Sequence, residues 1–152
     1  MSDPNAEEKK SNDVVDMFND IAPTYDKINR RLSFSVDVIW RRKLRKAVRK
    51  FRPQHILDMS AGTGDLTLEL SKLHPEKLVA ADPSEKMLEI AELKLRKARV
   101  MAELVKCSAE ETPFASNAFD LITCSFGVRN FASLEKGLKE MHRILAPGGH
   151  FV

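Results

Sequence analysis

At 152 residues and 17.2 kDa, with 43% hydrophobic and 31% charged residues, the chain has the size and composition of one globular domain with its own core. No apolar run approaches the roughly 20 residues that cross a bilayer, and the polar start MSDPNAEEKKSND lacks the apolar stretch of a signal peptide. A net charge of +3 is too small to argue for nucleic acid, but it is uneven: residues 1–52 hold 13 Lys/Arg against 8 Asp/Glu, the remainder 12 against 14.

In chain order, residues 1–12 are polar and expected to be disordered, residues 13–52 to form a helical lid segment, and residues 53–152 to form an α/β domain. A short helix over Asp13–Asp20 would present Val14, Val15 and Phe18; the Pro-containing stretch APTYDKINRRLSFS reads as a loop with a short helix. From Asp37 the spacing of Trp40, Leu44, Val48 and Phe51 predicts a helix that Pro53 stops. Strands are predicted at His55–Met59, Leu78–Ala81, Ala102–Cys107 and Phe119–Ser125, alternating with helices at Asp65–Leu73, Ser84–Arg99 and Ser133–Leu145. Ser84 and Ser133 are candidate N-caps, and Pro147-Gly148-Gly149 is expected to end the last helix. Such alternation predicts a Rossmann-like, doubly wound parallel sheet, with ligands beyond the carboxyl ends of the strands. The last residues, GGHFV, read as a fifth strand only begun, so the sheet is expected to be cut short there.

Cys107 and Cys124 are far apart and form no CxxC pair, so they read as reduced, buried or half-buried thiols of a cytoplasmic protein. His55, His74, His142 and His150 show no ligand spacing, and no metal site is expected.

The informative stretch is HILDMSAGTGDL, residues 55–66, where a strand runs into a glycine turn that opens a helix. A dinucleotide fingerprint requires a third glycine three residues after the second, and Thr67 stands there instead of glycine. A P-loop requires Gly-Lys-Ser/Thr, which is missing too. Asp58, at the strand end, would repel a diphosphate but attract a sulfonium carrying an α-amino group. That charge pattern is that of S-adenosylmethionine (SAM), whose methionyl part would lie along Gly62 and Gly64; the competing reading is that Asp58 only caps the turn. Asp82 ends the second strand where a ribose-binding carboxylate belongs, or caps the following helix. Ser108 and the Ala109 backbone, after the third strand, are placed to read an adenine edge.

These residues resemble those of the class I SAM-dependent methyltransferases, and more closely the ubiquinone/menaquinone biosynthesis C-methyltransferases, which include demethylmenaquinone methyltransferases. The family pattern D-x-A-x-G-T-G-D is met from Asp58 to Asp65 except at Ser60. Its N-terminal signature Y-D-x-M-N-x-x-L-S-x-x-x-H-x-x-W is echoed from Tyr25 to Trp40, with Ile28 and Asp37 departing. SFGVRNF, Ser125–Phe131, is close to the family's form, and RILAPGG differs from the family's RVLKPGG at Ile144 and Ala146. The resemblance implies SAM contacts at Thr63, Asp82, Ser108, Ala109 and Ser125, with Ser108 replacing the Asp or Asn of many relatives. Family members are longer and complete a seven-stranded sheet, so the C-terminal part of the family fold is expected to be absent from this chain.

The implied reaction is methyl transfer to a ring carbon of a prenylated quinol, either demethylmenaquinol or a 6-methoxy-benzoquinol. Arg129 is the candidate to stabilise the phenolate or organise a water, and Asn130 to orient it. Tyr25 and Asp26 would close over the donor or assist proton removal. The competing reading of Arg129–Asn130 is a structural turn, and of Tyr25 a packing lid. Eight of the twelve residues Arg41–Arg52 are Lys or Arg: either a solvated helix face or, in a protein at the inner membrane surface, a contact with anionic lipid. Alternatives to the quinol are another small molecule, or a SAM-binding subunit without activity; no nucleic-acid partner is expected, since no aromatic-interleaved groove or nucleobase motif is present.

Overall fold

The structure, a computed structural model, describes the backbone of residues 4–32 and 36–152 and the side chains of residues 12–27 and 36–152. Residues 1–3 of the segment expected to be disordered, and 33–35 of the expected loop, lie outside the described residues. The elements are α1 (Pro4–Leu32), α2 (Val36–Val48), β1 (His55–Met59), α3 (Asp65–Leu70), β2 (Lys77–Asp82), α4 (Glu85–Lys97), β3 (Glu103–Lys106), β4 (Phe119–Thr123), α5 (Leu134–Ile144) and β5 (Leu145–Phe151).

All strand pairings are parallel, and the order is β3-β2-β1-β4-β5. The central strands are apolar on both sides because helices cover both faces. On one face Leu57, Met59, Val79, Phe119, Met141 and Ile144 pack together; on the other, Ile56, Leu78 and Leu121 meet Val48 of α2 and Leu66 and Leu70 of α3. The period-two alternation of β1 therefore puts Asp58 on the α2/α3 side with Ile56. Strand order reverses direction between β1 and β4, the switch point at which a crevice opens in sheets of this kind.

Two local expectations are corrected. The short helix at 13–20 and the loop after it are one helix, α1, which runs from Pro4 and through Pro23. Residues 4–12, expected to be disordered, belong to it; AEEKK is rich in strong helix formers, and Pro4 opens the first turn, where a missing N–H costs nothing. Tertiary packing outweighs the proline on both sides of it: before Pro23, Ala22 is buried and Ser84 of the α4 cap donates to Asn19 Oδ1 at 2.7 Å; beyond it, Asp26 is held by Thr63 and Lys94. Second, Pro147-Gly148-Gly149 does not end α5. The helix stops at Ile144 and β5 starts directly, so that the triplet lies within the strand. Pairing passes from Phe119↔Leu145 to Leu121↔His150, so the extra residues bulge out of the ladder, with Gly148 at φ +77°. The fifth strand, read as only begun, spans seven residues.

Both serine caps form: Ser84 Oγ accepts from Met87 N at 3.2 Å and Ser133 Oγ from Lys136 N at 3.5 Å. Among the described residues, no helix is long and apolar enough to cross a membrane.

Candidate functional site

Past the ends of β1 and β4, two cavities of about 280 and 590 Å³ share one wall made by Tyr25, Ser60, Gly62, Ser125, Phe126 and Arg129. The smaller is also lined by Asp82, Ser108, Ala109 and Asn130, the larger by Asp58, Thr63, Trp40 and Arg41. Parallel strands deliver these residues to one rim because every carboxyl end points the same way, except Tyr25, Trp40 and Arg41, which α1 and α2 bring over it.

The glycine turn is built from left-handed residues: Ser60 (φ +57°), Gly62 (+55°) and Gly64 (+79°). Ala61 N donates to Ala81 O, and Gly64 N closes back on Ala61 O, both at 3.0 Å. A Cβ on Gly62 would meet nothing within 4 Å, so that glycine leaves its backbone open to the cavities. Gly64 acts differently. A Cβ there would sit 3.0 Å from Ala91 Cβ, so Gly64 lines neither cavity and lets α4 pack against the turn.

Asp58 is 1% exposed, and both its oxygens accept hydroxyl protons: from Thr67 at 2.7 Å and from Thr123, its register partner on β4, at 2.9 Å. Burial pushes its carboxyl up to about 6, against the pull of those two hydrogen bonds; Asp82 adds to the rise and Arg41 opposes it. Thr67, standing where a dinucleotide fingerprint would have its third glycine, is thus a ligand of Asp58. Asp82 accepts from Gly62 N (2.8 Å) and Ser84 N (2.9 Å), so it ties the glycine turn to the start of α4, whose N-cap is Ser84 and not Asp82. Burial raises its carboxyl as well, the two backbone N–H groups opposing.

Asp26 lines neither cavity. Its carboxylate accepts from Thr63 Oγ1 at 2.6 Å and pairs with Lys94, so it holds the turn, while its neighbour Tyr25 faces both cavities. Arg129 is exposed on a 3-10 turn, Val128–Asn130, with its guanidinium 5.9 Å from the Phe126 ring centroid. Among the described residues no carboxylate pairs with it. Of the N-terminal signature, the side chains of residues 28–35 lie outside the described residues.

Three features escape sequence reading. Phe126 sits at φ +61°, a conformation rarely kept by a bulky aromatic, and packs edge-on against Trp40 of α2 at 5.1 Å. In the sequence Trp40 reads as one more position of the apolar stripe with Leu44, Val48 and Phe51. Gly127 brings the loops after β1 and β4 together: a Cβ there would lie 2.3 Å from Ser60 Cβ. Lys94 joins Asp26, Thr63 and Asp65. Burial pushes the thiols of Cys107 and Cys124 up, to about 11 and about 12, so neither is an activated nucleophile.

The donor set fits a zwitterionic, cationic nucleoside. Two buried carboxylates stand at successive strand ends, an open-faced glycine lies between them, and Ser108 and Ala109 stand beyond Asp82.

Comparison with known proteins agrees with this geometry. Residues 5–152 match the model of the ubiE/COQ5 methyltransferase family. The demethylmenaquinone methyltransferase of Bacteroides fragilis is 45% identical over 148 residues, covering 95% of this chain and 60% of that protein. The ubiquinone/menaquinone biosynthesis C-methyltransferase UbiE of Escherichia fergusonii is 40% identical over 151 residues, covering 97% and 60%. The chain thus spans about 60% of the length of these relatives. A putative S-adenosyl-L-methionine-dependent methyltransferase from Methanococcus maripaludis superposes with a TM-score of 0.77 at 24% identity, over 88% of this chain and 61% of that one, a likeness of fold.

Proposed function

This chain belongs to the ubiE/COQ5 methyltransferase family, and from that premise we propose that it carries the donor site, and part of the acceptor site, of a SAM-dependent C-methyltransferase acting on a prenylated quinol. The observation that supports this most is the pair of cavities with a common wall at the β1/β4 switch point. One has nucleoside-binding chemistry; the other has a buried carboxylate, an arginine and an aromatic pair.

On this reading Asp82, Ser108 and Ala109 take the nucleoside end of SAM. Gly62, Thr63 and Ser125 line its path, and Asp58 provides the negative charge that favours its cationic end. When bound, SAM supplies an electrophilic methyl group on a sulfonium. A quinol ring carbon becomes nucleophilic only when a neighbouring hydroxyl loses its proton, so the site must hold an oxyanion and align the ring. Arginine stays protonated in proteins, so Arg129 holds that oxyanion, or a water beside it, and does not itself take the proton. Asn130 lines the smaller cavity beside it, and its backbone N–H closes the turn on Gly127 O at 2.8 Å. Tyr25 and the Trp40–Phe126 pair shield the reacting centre from water.

Titration calorimetry with SAM, followed by transfer assays with demethylmenaquinol and with a 6-methoxy-benzoquinol, tests this reading. The expected result is saturable SAM binding and methylation of one of the quinols. Binding without transfer to either quinol would favour a SAM-binding subunit, and no binding would remove the donor site altogether.

The basic helix divides into two sets. Arg41 and Arg45 turn inward, to Asp37 and Asp65 and to Glu69, and Val48 is in the core. Arg42, Lys43, Lys46, Arg49, Lys50 and Arg52 are exposed, and Val36 and Ile39 at the start of α2 are 55% and 53% exposed. Such a face suits an anionic lipid surface, where a prenylated quinol resides. Replacing Arg42, Lys43 and Lys46 by alanine is expected to weaken co-sedimentation with phosphatidylglycerol vesicles about ten- to hundredfold. Equal sedimentation with neutral and anionic vesicles would sink the contact.

A further inference from the structure

We propose that Lys94 is a positioning residue that locks the N-terminal helices onto the donor-binding turn, so that donor affinity depends on a side chain that lines neither cavity. The proposal rests on the donor-site reading above. Lys94 lies on α4 and lines neither cavity, yet its ammonium binds three different elements. It donates to Thr63 Oγ1 of the turn at 2.9 Å, to Asp65 Oδ1 at the start of α3 at 2.7 Å, and pairs with Asp26 Oδ2 of α1. An ammonium has three N–H donors, and all three are used.

The partners extend the lock in two directions. Thr63 passes its own hydroxyl proton to Asp26 Oδ1 at 2.6 Å, closing a ring of Lys94, Thr63 and Asp26. Tyr25, the next residue to Asp26, is part of the wall between the cavities. Asp65 gives its second oxygen to Arg41 of α2 at 3.2 Å, and Arg41 binds Asp37 at 2.9 Å on the same helix. That helix carries Trp40, which packs on Phe126 at the larger cavity. Lys94 thus ties α1 to the turn directly and reaches α2 through the Asp65 carboxylate that it shares with Arg41.

The electrostatics favour coupling over mere decoration. The side chains of Lys94, Asp26 and Asp65 are 22%, 26% and 18% exposed, so water screens them less than an ordinary surface pair. Without the ammonium, the carboxylate of Asp26 keeps no cation beside it among the described residues and faces that of Asp65, which Arg41 alone still offsets. Repulsion then pushes α1 off the turn, and Thr63, flanked by two left-handed glycines, loses both its fixed partners.

A simple stabilising network would lower the melting temperature and leave donor binding alone, and this separates the two roles. The chain has one tryptophan, Trp40, so its emission reports α2 without labelling. For the parent chain, SAM titration is expected to give the same Kd by calorimetry and by Trp40 emission. Lys94→Met is expected to raise that Kd about tenfold or more and to remove most of the emission change, and Lys94→Arg to restore the Kd to within about threefold. Should Lys94→Met fail to fold, Asp26→Asn removes only the charge at the α1 end of the lock and leaves the Lys94–Asp65 pair; it is expected to raise the Kd in the same direction by a smaller factor. Parent-like Kd and emission response in the folded variant overturn the proposal and leave the donor site intact. Failure of the parent chain itself to bind SAM overturns the donor-site reading, and this proposal with it.

Discussion

Arg129→Ala is expected to slow methyl transfer about 10²- to 10³-fold, the usual cost of removing one group that stabilises a developing oxyanion, while leaving the Kd for SAM within about threefold. The split follows from where the side chain sits. Arg129 is on the wall common to both cavities, and no carboxylate of the described residues neutralises it, so its charge is free to act on a ligand. Its turn is anchored on both sides. Before it, Gly127 fits only because it has no Cβ; after it, Phe131 is 7% exposed and fills the space that a Cβ on Gly137 would take, 2.4 Å from the Phe131 ring. A charged group carried on so fixed a turn can be aimed without paying for reorganisation during the reaction. Arg129→Lys keeps the charge but loses the planar fork and is expected to recover only part of the rate. Single-turnover rates and donor Kd measured on the same preparations decide the matter: near-normal transfer by Arg129→Ala removes this residue from the chemistry and returns the segment to a structural turn.

Much of this site was legible because parallel strands put their carboxyl ends on one rim. Asp58, Asp82 and Ser108 could be assigned to that rim from the strand pattern, and Ser125 through the family resemblance; all four line the cavities there. What was not legible came from contacts between residues far apart in the chain. Trp40 fits a helical core stripe with Leu44 and Val48 and reveals nothing of Phe126, which it meets only because α2 crosses the β4 loop. Asp26 looks like a base beside Tyr25, and only the position of α4 shows that Lys94 and Thr63 already hold it. Pro147-Gly148-Gly149 carries a strong local stop signal, but an outer strand with a bulge accommodates it. The proline in α1 acts the same way: its local cost is real, and contacts on both sides of it, Asn19 with the α4 cap and Asp26 with Thr63 and Lys94, exceed it.

Asp58→Asn is expected to move stability and donor binding in opposite directions. Asp58 is fully buried, and burial raises its carboxyl to about 6, whereas an aspartate in the unfolded chain titrates near 4. The folded state therefore binds the proton more tightly than the unfolded state, so this residue favours folding most below about pH 4. That contribution is lost as pH rises to about 6 and stays lost above it, a cost of about 3 kcal/mol at neutral pH as an order of magnitude. Asparagine carries no charge to desolvate. Its Oδ1 can accept from one threonine hydroxyl, and its amide can donate to the other once that hydroxyl turns. The variant should thus melt higher than the parent at pH 7 and lose most of the fall in stability between pH 4 and 6; burial raises Asp82 as well, so a residual slope of the same sign should remain. Donor binding should respond the other way. In the parent, SAM affinity should rise from pH 5 to 7 as Asp58 ionises, and in Asp58→Asn it should be about ten- to hundredfold weaker at pH 7, with a flatter pH profile. Thermal melts and calorimetric titrations across pH 4–8 check both arms. A variant that melts lower and binds SAM like the parent would make Asp58 only the anchor of Thr67 and Thr123; a variant that melts higher and binds weakly would identify a carboxylate kept buried, at a cost in stability, for the cation it attracts.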